Sequence, residues 1–427
     1  MVEKYKNREE YEEEVISRSK LPKGFKVGVV PLTFFPIEKK VDKALPMKLS
    51  LILLDNDSES FGSVFTKNSF PGHPVVHGKK MLDSETTRGV LINNKISNVR
   101  CSGGAESIDN ILSSLSENLN IKGQKFFSSS TGIIGWKLPQ EDIISSIPKL
   151  IESLNSNSIF PVAKGIMTTD NYPKVRSIEI QGGRITAVAK GAGMIEPNMA
   201  TMLVFILTDI AVERKELRSI LKRVVDKTFN RISIDSDQST SDTAMIFSSN
   251  IIQGVKTSLF EDSLYSICLD LCQDVVRNGE GTAHVIQVTV KGVQCEDDAL
   301  KIGKAIINAP LLKAAIYGND PNLGRLLQAI GDVAGNENIP LDPECITLYM
   351  GDYIIYDNGA FTLNEELELK LNRYLKDRSF NETAIGFPEH RNNVEIVVDL
   401  QNGLESATVY GSDLSYEYVR ENADYRS

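Results

Sequence analysis

Apolar residues recur along this chain with two spacings, which together predict interleaved strands and helices. Short apolar or alternating runs predict strands, and these cover Met47–Leu54, Gly62–Thr66, Val90–Asn93, Met202–Leu207, Ala244–Phe247, His284–Val290 and Val394–Leu400. Apolar residues three and four apart predict amphipathic helices, and these cover Ser107–Leu119, Ile143–Leu154, Leu217–Phe229, Ala299–Ile307, Asn322–Val333 and Asn364–Leu375. The pattern is that of a mixed α/β protein.

Three local features add detail to this pattern. Ser107 is a plausible N-cap for the helix that follows it. Residues Ser177–Val188 predict a hairpin that turns at Gly182 and Gly183. Residues 1–20 are charged and predict an exposed helix or a loose arm.

The segment Lys190–Asp209 changes character halfway along its length. Its first half is rich in Gly, Pro and Asn, whereas Met202–Leu207 is an uninterrupted apolar run. Such a run is typical of a strand that is buried on both faces. Thr201 stands where the loop becomes the strand. Because Thr is common at strand starts, an isolated Ala-Thr pair there would predict no function.

Composition and charge exclude several classes of protein. The chain has 427 residues, 41% of them hydrophobic, and a formal net charge of −10, which argues against a nucleic-acid surface. Its five cysteines do not suggest a disulfide framework. Cys268 and Cys272 lie one helical turn apart without further ligands at zinc spacing, so buried thiols are the better interpretation. The acidic first residues do not resemble a secretory or mitochondrial signal, and no apolar run has the length of a membrane span. We therefore expect a cytoplasmic protein.

Residues 190–203, KGAGMIEPNMATML, resemble the self-cleavage segment of the ornithine acetyltransferase family, also called glutamate N-acetyltransferases. The chain departs from the family pattern at Ala192, where Ser is usual. The resemblance implies self-cleavage between Ala200 and Thr201, which would give an α chain of residues 1–200 and a β chain of residues 201–427. Thr201 would then be an N-terminal nucleophile whose own α-amine, with a pKa of ~7.7–8, serves as the base. No G-x-S-x-G motif competes with it.

Further segments resemble family motifs in the same order along the chain. The resemblance implies the following roles: Thr131 and Gly132, in SSSTGIIG, stabilise the oxyanion; Thr168, with Thr169 as the fallback, and Lys190 bind substrate; Glu280, in NGEGT, binds the amine of ornithine; Asn422 and the terminal Ser427 close over the substrate. Taken alone, the first segment would be a serine-rich turn, Lys190 an exposed lysine and Glu280 a turn residue.

Three segments carry less specific information. Residues 319–325, NDPNLGR, match a family motif except for Leu323, where Trp is usual. Residues 233–243 are acidic and hydroxyl-rich, with Ser236 where Gly is usual, but they lack the spacing of a calcium loop. The match is weakest at Leu91–Glu106, where Lys95 and Ile96 replace small residues. If that segment lines the site, substrate preference is altered.

The resemblance implies layered mixed sheets covered by helices, the fold of ornithine acetyltransferases. It also implies acetyl transfer from N2-acetyl-L-ornithine to L-glutamate through acetyl-Thr201, without a metal or cofactor, by an assembly of two α and two β chains. Three alternatives stay open: a bifunctional enzyme that also uses acetyl-CoA as a co-substrate, a self-cleaving aminopeptidase or amidohydrolase, and a non-catalytic relative. No nucleic-acid or membrane partner is expected. P-loop and dinucleotide-binding motifs are absent from the sequence.

Overall fold

The computed structural model describes residues 4–196, 202–381 and 386–424. The chain forms two compact units, which are described separately. The larger unit comprises Glu12–Asn230 and Gln238–Val275, and the smaller unit comprises Met1–Tyr11, Arg231–Asp237 and Val276–Ser427. Residues 200 and 201 fall within the range of the larger unit, so the two chains expected from cleavage do not coincide with the two units.

Strands and helices alternate along the whole chain. The strands are β1 Phe25–Phe34, β2 Leu45–Ser58, β3 Phe61–Phe65, β4 Thr87–Asn93, β5 Phe126–Ser130, β6 Lys174–Ile180, β7 Gly183–Lys190, β8 Leu203–Ile210, β9 Ile232–Ser233, β10 Thr243–Ile252, β11 Val285–Val293, β12 Thr347–Met350, β13 Tyr353–Asp357, β14 Ala360–Phe361, β15 Val394–Asp399 and β16 Glu405–Ser412. The helices are α1 Arg8–Ser17, α2 His73–Met81, α3 Gly104–Asn118, α4 Gln140–Glu152, α5 Phe160–Gly165, α6 Arg214–Lys227, α7 Thr257–Arg277, α8 Glu296–Asn308, α9 Pro310–Tyr317, α10 Leu323–Asn336, α11 Glu365–Lys376 and α12 Tyr416–Ala423, with a 3₁₀ turn at Phe229–Arg231.

Two sheets form the centre of the larger unit, with strand orders β1-β2-β4-β5 and β3-β10-β8-β7-β6. Phe127 of β5 meets Phe61 of β3 and Phe247 of β10 edge-on, with ring centroids 5.8 Å apart in each pair. The two sheets therefore pack face to face. Phe126 points to the opposite face of β5, because side chains alternate along a strand, and it joins an apolar cluster with α3 and α4.

Helix α6 covers the second sheet of the larger unit. A Cβ atom at Gly62 of β3 would lie 2.9 Å from Cγ of Arg218 on α6, so the helix approaches this strand closely. The order of layers is helices, sheet, sheet and helix. This arrangement confirms the expected fold class of layered mixed sheets covered by helices.

Strand β8 is a central strand of the second sheet and leads away from the segment that contains Thr201. It pairs in parallel with β10 and antiparallel with β7, and all eight of its residues are buried. The prediction from the apolar run at Met202–Leu207 is confirmed.

The smaller unit contains one sheet with the order β14-β13-β12-β15-β11-β16-β9. Strand β11 pairs in parallel with β15 and antiparallel with β16. Helices α8 to α11 contribute to one apolar cluster with these strands. The segment that contains Glu280 precedes β11, and the segment that leads to α12 follows β16.

Most of the predicted strands and helices are confirmed, but the predicted N-cap of α3 is wrong. The N-cap is Gly103, with a φ of +75°, and the Ser107 amide donates to the Gly103 carbonyl from inside the first turn. The helix begins at Gly104, before the predicted start, and this first residue packs closely: a Cβ there would lie 2.3 Å from Cδ2 of His73.

Two further details differ from the sequence-based expectation. The hairpin is confirmed, but its turn residues are Gln181 and Gly182, with φ values of +47° and +81°, as a two-residue turn of primed type requires. Residues 8–17 form the predicted helix, yet this part of the chain is not simply exposed, because Tyr5, Tyr11 and Val15 are buried. Within the described ranges, no helix combines the length and the apolar character that crossing a bilayer requires.

Candidate active site

The predicted oxyanion loop follows strand β5 in the larger unit and is held by backbone hydrogen bonds. The Thr131 amide donates to the Asn93 carbonyl at 3.2 Å, and the Ile133 amide donates to the Lys95 carbonyl at 2.9 Å. Between them, Gly132 has a φ of +117°, and a Cβ there would lie 2.2 Å from the Lys95 carbonyl oxygen. Only glycine fits this position, because both the left-handed backbone and the contact exclude a side chain.

This loop leaves two hydrogen-bond donors available. No residue in the described ranges accepts a hydrogen bond from the Gly132 amide or from the Thr131 hydroxyl. Thr131 is nevertheless buried, with 9% of its surface exposed. Fixed donors without a partner in the protein are what the oxyanion of an acyl-transfer intermediate needs.

The divergent segment Leu91–Glu106 holds this loop in place through hydrogen bonds. The Asn93 amide group donates to the Ser130 hydroxyl at 2.7 Å, and the Gly135 amide donates to the Val99 carbonyl at 3.1 Å. Asn94 donates to the Met167 carbonyl at 2.8 Å, so the same segment also holds the residues before Thr168. Ile96 is fully buried in the apolar cluster with α3 and α4. This segment therefore acts as a support for two predicted site segments.

A buried ion pair organises the predicted substrate segments of the larger unit. Asp170 and Lys174 lie 2.7 Å apart, and both side chains have 0% of their surface exposed. Asp170 also accepts hydrogen bonds from the amides of Thr168, at 3.0 Å, and Gly191, at 2.8 Å. Lys190, the last residue of β7, is half-buried beside this pair. The sequence analysis did not identify Asp170 and Lys174, because their meeting with residue 191 depends on the fold.

The carboxylate of Asp170 attracts two ammonium groups that repel each other. Burial alone would raise the pKa of Asp170, but the ammonium groups of Lys174 and Lys190 and the donated hydrogen bonds outweigh it and hold that pKa at about 2. Burial lowers the pKa of Lys174, and the carboxylate of Asp170 counteracts this. Asp170 and Lys174 are best described as both ionised. Asp170 accepts hydrogen bonds from three N–H donors, and these favour its charged carboxylate over its protonated form.

The remaining predicted residues of the larger unit are placed as follows. Thr168 and Thr169 both have exposed side chains, so either hydroxyl is accessible to a substrate. Ala192 is fully buried, which is consistent with a small residue at this position. Ala200 and Thr201 lie outside the described residues.

In the smaller unit, Glu280 meets the last helix of the chain. Glu280 is buried, and the Asn422 side chain on α12 donates to its Oε2 at 2.8 Å. The turn that carries Glu280 needs glycine next to it: Gly281 has a φ of +64°, and a Cβ there would lie 2.4 Å from Oγ of Ser415. The structure thus brings together two residues for which the resemblance implied separate roles at the substrate. Ser427 lies outside the described residues.

Acidic side chains surround Tyr418 close to Glu280. The Tyr418 hydroxyl donates to Asp235 at 3.4 Å, and burial, followed by the charges of Asp235, Glu280 and Asp237, raises the pKa of Tyr418. Burial and the charge of Glu280 also raise the pKa of Glu421. This negative surrounding favours a cationic ligand.

Two asparagines of the segment 319–325 and the backbone at Ser236 have structural roles in the smaller unit. In the segment 319–325, Asn322 caps α10, and Asn319 lies 3.2 Å from Nε2 of the buried His284, whose Nδ1 lies 2.8 Å from Asp413. Ser236 has a φ of +62°, which explains why Gly is usual there. Across residues 4–196, 202–381 and 386–424, no group of three or more His, Cys, Asp or Glu side chains is arranged to hold a metal ion.

Comparisons with known proteins find relatives that match most of this chain. The model of the ArgJ family matches residues 37–427. The arginine biosynthesis bifunctional protein ArgJ 2 of Clostridium acetobutylicum is 40% identical over 369 residues, covering 86% of this chain and 90% of that protein. The glutamate N-acetyltransferase of Methanocaldococcus jannaschii is 35% identical over 391 residues, covering 88% of this chain and 93% of that protein. The crystal structure of the arginine biosynthesis bifunctional protein argJ from Bacillus halodurans is 30% identical and covers 52% of this chain and 98% of its own, with a TM-score of 0.46.

Proposed function

This chain belongs to the ArgJ family, and from that premise we propose that it is a glutamate N-acetyltransferase that transfers an acetyl group from N2-acetyl-L-ornithine to L-glutamate through Thr201. The structural observation that supports this proposal is the loop at Thr131 and Gly132, which is held by backbone hydrogen bonds and has two donors without a partner among the described residues. Such donors serve acyl transfer and have no evident purpose in a protein that only binds.

The nucleophile arises by self-cleavage. Before cleavage, the Thr201 hydroxyl attacks the Ala200 carbonyl; the peptide C–N bond between the two residues breaks, which frees the Thr201 amine and leaves an ester at Thr201 Oγ. Water then hydrolyses this ester, which gives Ala200 a carboxylate and returns the hydroxyl to Thr201. That amine then takes the proton of the Thr201 hydroxyl and acts as the general base. We propose the chains 1–200 and 201–427 as the products, assembled as two copies of each.

Acetyl transfer proceeds in two steps. The Thr201 Oγ attacks the acetyl carbon of N-acetylornithine; the amide C–N bond breaks, and the amine leaves with the proton that the Thr201 amine held. The amine of glutamate then attacks the acetyl ester, and Thr201 Oγ leaves and regains a proton. In both steps Thr131 and Gly132 donate to the oxyanion, a type of contact that is worth about 3–4 kcal/mol in the transition state.

Substrate recognition uses opposite charges. Lys190, with Thr168, binds the carboxylate that both amino acids carry. Glu280, held by Asn422, binds the cationic side-chain amine of ornithine, and Ser427 closes over the substrate. No metal or tightly bound cofactor has a role in this scheme.

The first test is the intact mass of the purified protein beside its Thr201→Ala variant. We expect two fragments that divide between Ala200 and Thr201, and a single chain near 47.2 kDa in the variant. An uncut chain in both samples would overturn the mechanism and favour a non-catalytic relative. The native mass of the cut protein tests the assembly of four chains.

The second test separates the alternative activities. The cut enzyme is incubated with N-acetylornithine with and without glutamate, and then with acetyl-CoA and glutamate. N-acetylglutamate formed only from N-acetylornithine supports the proposal. Formation from acetyl-CoA adds the bifunctional activity suggested by the name of the Clostridium relative, whereas acetate released without glutamate indicates a hydrolase.

A further inference from the structure

One buried ion pair lies among the proposed substrate segments although no role has been assigned to it. Asp170 and Lys174 are four residues apart, and both side chains are fully buried. Removing two charges from water is costly, and apolar residues of similar size often stabilise a protein equally well. A pair kept in such a place therefore calls for a reason other than stability.

The contacts of Asp170 supply that reason. Its Oδ1 accepts from Lys174 and from the Gly191 amide, and its Oδ2 accepts from the Thr168 amide. One carboxylate thus connects the segment that carries Thr168 to the first residue after Lys190, across 21 residues of sequence. Lys174 stands opposite Ala189 in the β6–β7 pair, which places the ion pair at the end of β7.

The same carboxylate acts on Lys190 by charge as well as by backbone contact. Lys190 and Lys174 both interact favourably with Asp170 and unfavourably with each other. Asp170 therefore offsets the repulsion between two ammonium groups, that of the buried Lys174 and that of the half-buried Lys190.

We propose that Asp170, paired with Lys174, is a positioning residue that places the Lys190 ammonium and the Thr168 segment to receive the carboxylate of the amino-acid substrate. The inference rests on the proposed function, because it takes Lys190 as the carboxylate ligand. Asp170 itself touches no substrate; it acts through Lys190 and Thr168.

The test is the double variant Asp170→Asn, Lys174→Met, in which neither residue is left as an unpaired buried charge. We expect it to fold and to cleave itself, but with KM for both glutamate and N-acetylornithine raised about tenfold or more, while kcat changes less. The matched control is Asp209→Asn. Asp209 is also buried and accepts the amides of Arg184, at 2.7 Å, and Lys23, at 3.0 Å, at the far end of the β7–β8 pair.

The same double substitution in a Lys190→Met enzyme distinguishes a positioning role of Asp170 from a purely structural one. In a Lys190→Met enzyme, the double substitution is expected to raise KM by a clearly smaller factor, because one of the two groups through which it acts is already gone. An equal rise in both backgrounds, an equal rise in the Asp209→Asn control, or an unchanged KM in a folded double variant would overturn the inference. If the double variant does not fold, Asp170→Glu replaces it: the charge stays but moves by one methylene, and the same rise in KM is required.

Failure of this inference is distinguishable from failure of the proposed function. If the unsubstituted enzyme transfers acetyl groups and the double variant behaves like it, only the role of Asp170 is wrong. If the unsubstituted enzyme itself transfers none, the proposed function is wrong, and the role of Asp170 falls with it.

Discussion

Two regions of the molecule, one in each unit, carry proposed substrate-binding residues, and they are built in opposite ways. The region around Asp170 in the larger unit uses a fully buried ion pair and two backbone amides. The region around Glu280 in the smaller unit depends on α12, a helix without a buried residue in its described part, and on one hydrogen bond from the exposed Asn422.

This difference separates a pre-organised binding group from an adjustable one. The charges around Asp170 are already placed before a ligand arrives, which lowers the cost of binding. Asn422 is exposed, so its hydrogen bond to Glu280 contributes less to the stability of the fold than to the recognition of a substrate. Substitutions should therefore affect folding in the first region and mainly affinity in the second.

The largest expected effect comes from breaking the buried ion pair on one side. Lys174→Met leaves the Asp170 charge buried without its partner, and we expect the free energy of unfolding to fall by about 3–5 kcal/mol. Urea denaturation measures this loss. The control is Lys222→Met: Lys222 and Asp226 are also four residues apart at 2.7 Å but are exposed, so the loss there should be at most about 0.5 kcal/mol. Equal losses would show that burial does not determine how much free energy of unfolding is lost when one partner of the Asp170–Lys174 pair is removed.

The next effect concerns catalysis in the larger unit. Gly132→Ala forces a Cβ into the Lys95 carbonyl and displaces an oxyanion donor, so we expect kcat to fall by about 10²–10³. Steady-state acetyl transfer measures it. The control is Gly135→Ala in the same loop: Gly135 also has a positive φ, of +87°, but a Cβ added there would meet no atom within 4 Å. If both variants lose the same activity, backbone strain rather than the donor explains the loss.

The segments that flank these regions were largely predictable from the sequence. The apolar run at Met202–Leu207 predicted the strand that follows Thr201, because burial on both faces leaves no polar position. Asn322 and Asn364 were correctly predicted as helix starts, since each side chain caps the helix after it. The hydrogen bond between Glu280 and Asn422 was not predicted: the resemblance gave each residue a role at the substrate, but no local pattern connects residues 142 positions apart.

The role of Asp170 was not predictable in the same way. Its partners include residue 191, which reaches it only because β6 and β7 pair and return the chain to the same end. The pattern of apolar residues also failed to predict strand β1. Gly28 and Pro31 interrupt the apolar alternation there, although Phe25 and Val27 are buried. In both cases tertiary pairing decides the structure, and a single sequence does not display it.

A smaller effect follows from the charge of Asp170. Its pKa falls from 3.8 to about 2 on folding, so its contribution to stability is complete above pH ~4 and is lost as the pH falls through about 2; this amounts to about 2 kcal/mol. Urea denaturation at pH 5, 4 and 3 measures the slope. The double variant Asp170→Asn, Lys174→Met lacks this titration and should lose less stability over the same range, since the other carboxylates are common to both proteins. Parallel curves would contradict the assignment of that pKa to the buried pair.

The smallest expected effect lies in the smaller unit and tests the other side of the comparison. Asn422→Ala removes one exposed hydrogen bond to Glu280, so we expect KM for N-acetylornithine to rise roughly fivefold, about 1 kcal/mol, with the free energy of unfolding almost unchanged. Asn336→Ala is the control, because Asn336 is exposed and donates to Asp332 at 2.9 Å but is not a proposed site residue. Glutamate lacks the side-chain amine that Glu280 is proposed to bind, so its KM should respond less than that of N-acetylornithine. A large loss of stability in Asn422→Ala would instead show that α12 is as firmly built into the fold as Asp170, and the contrast between a pre-organised and an adjustable region would no longer hold.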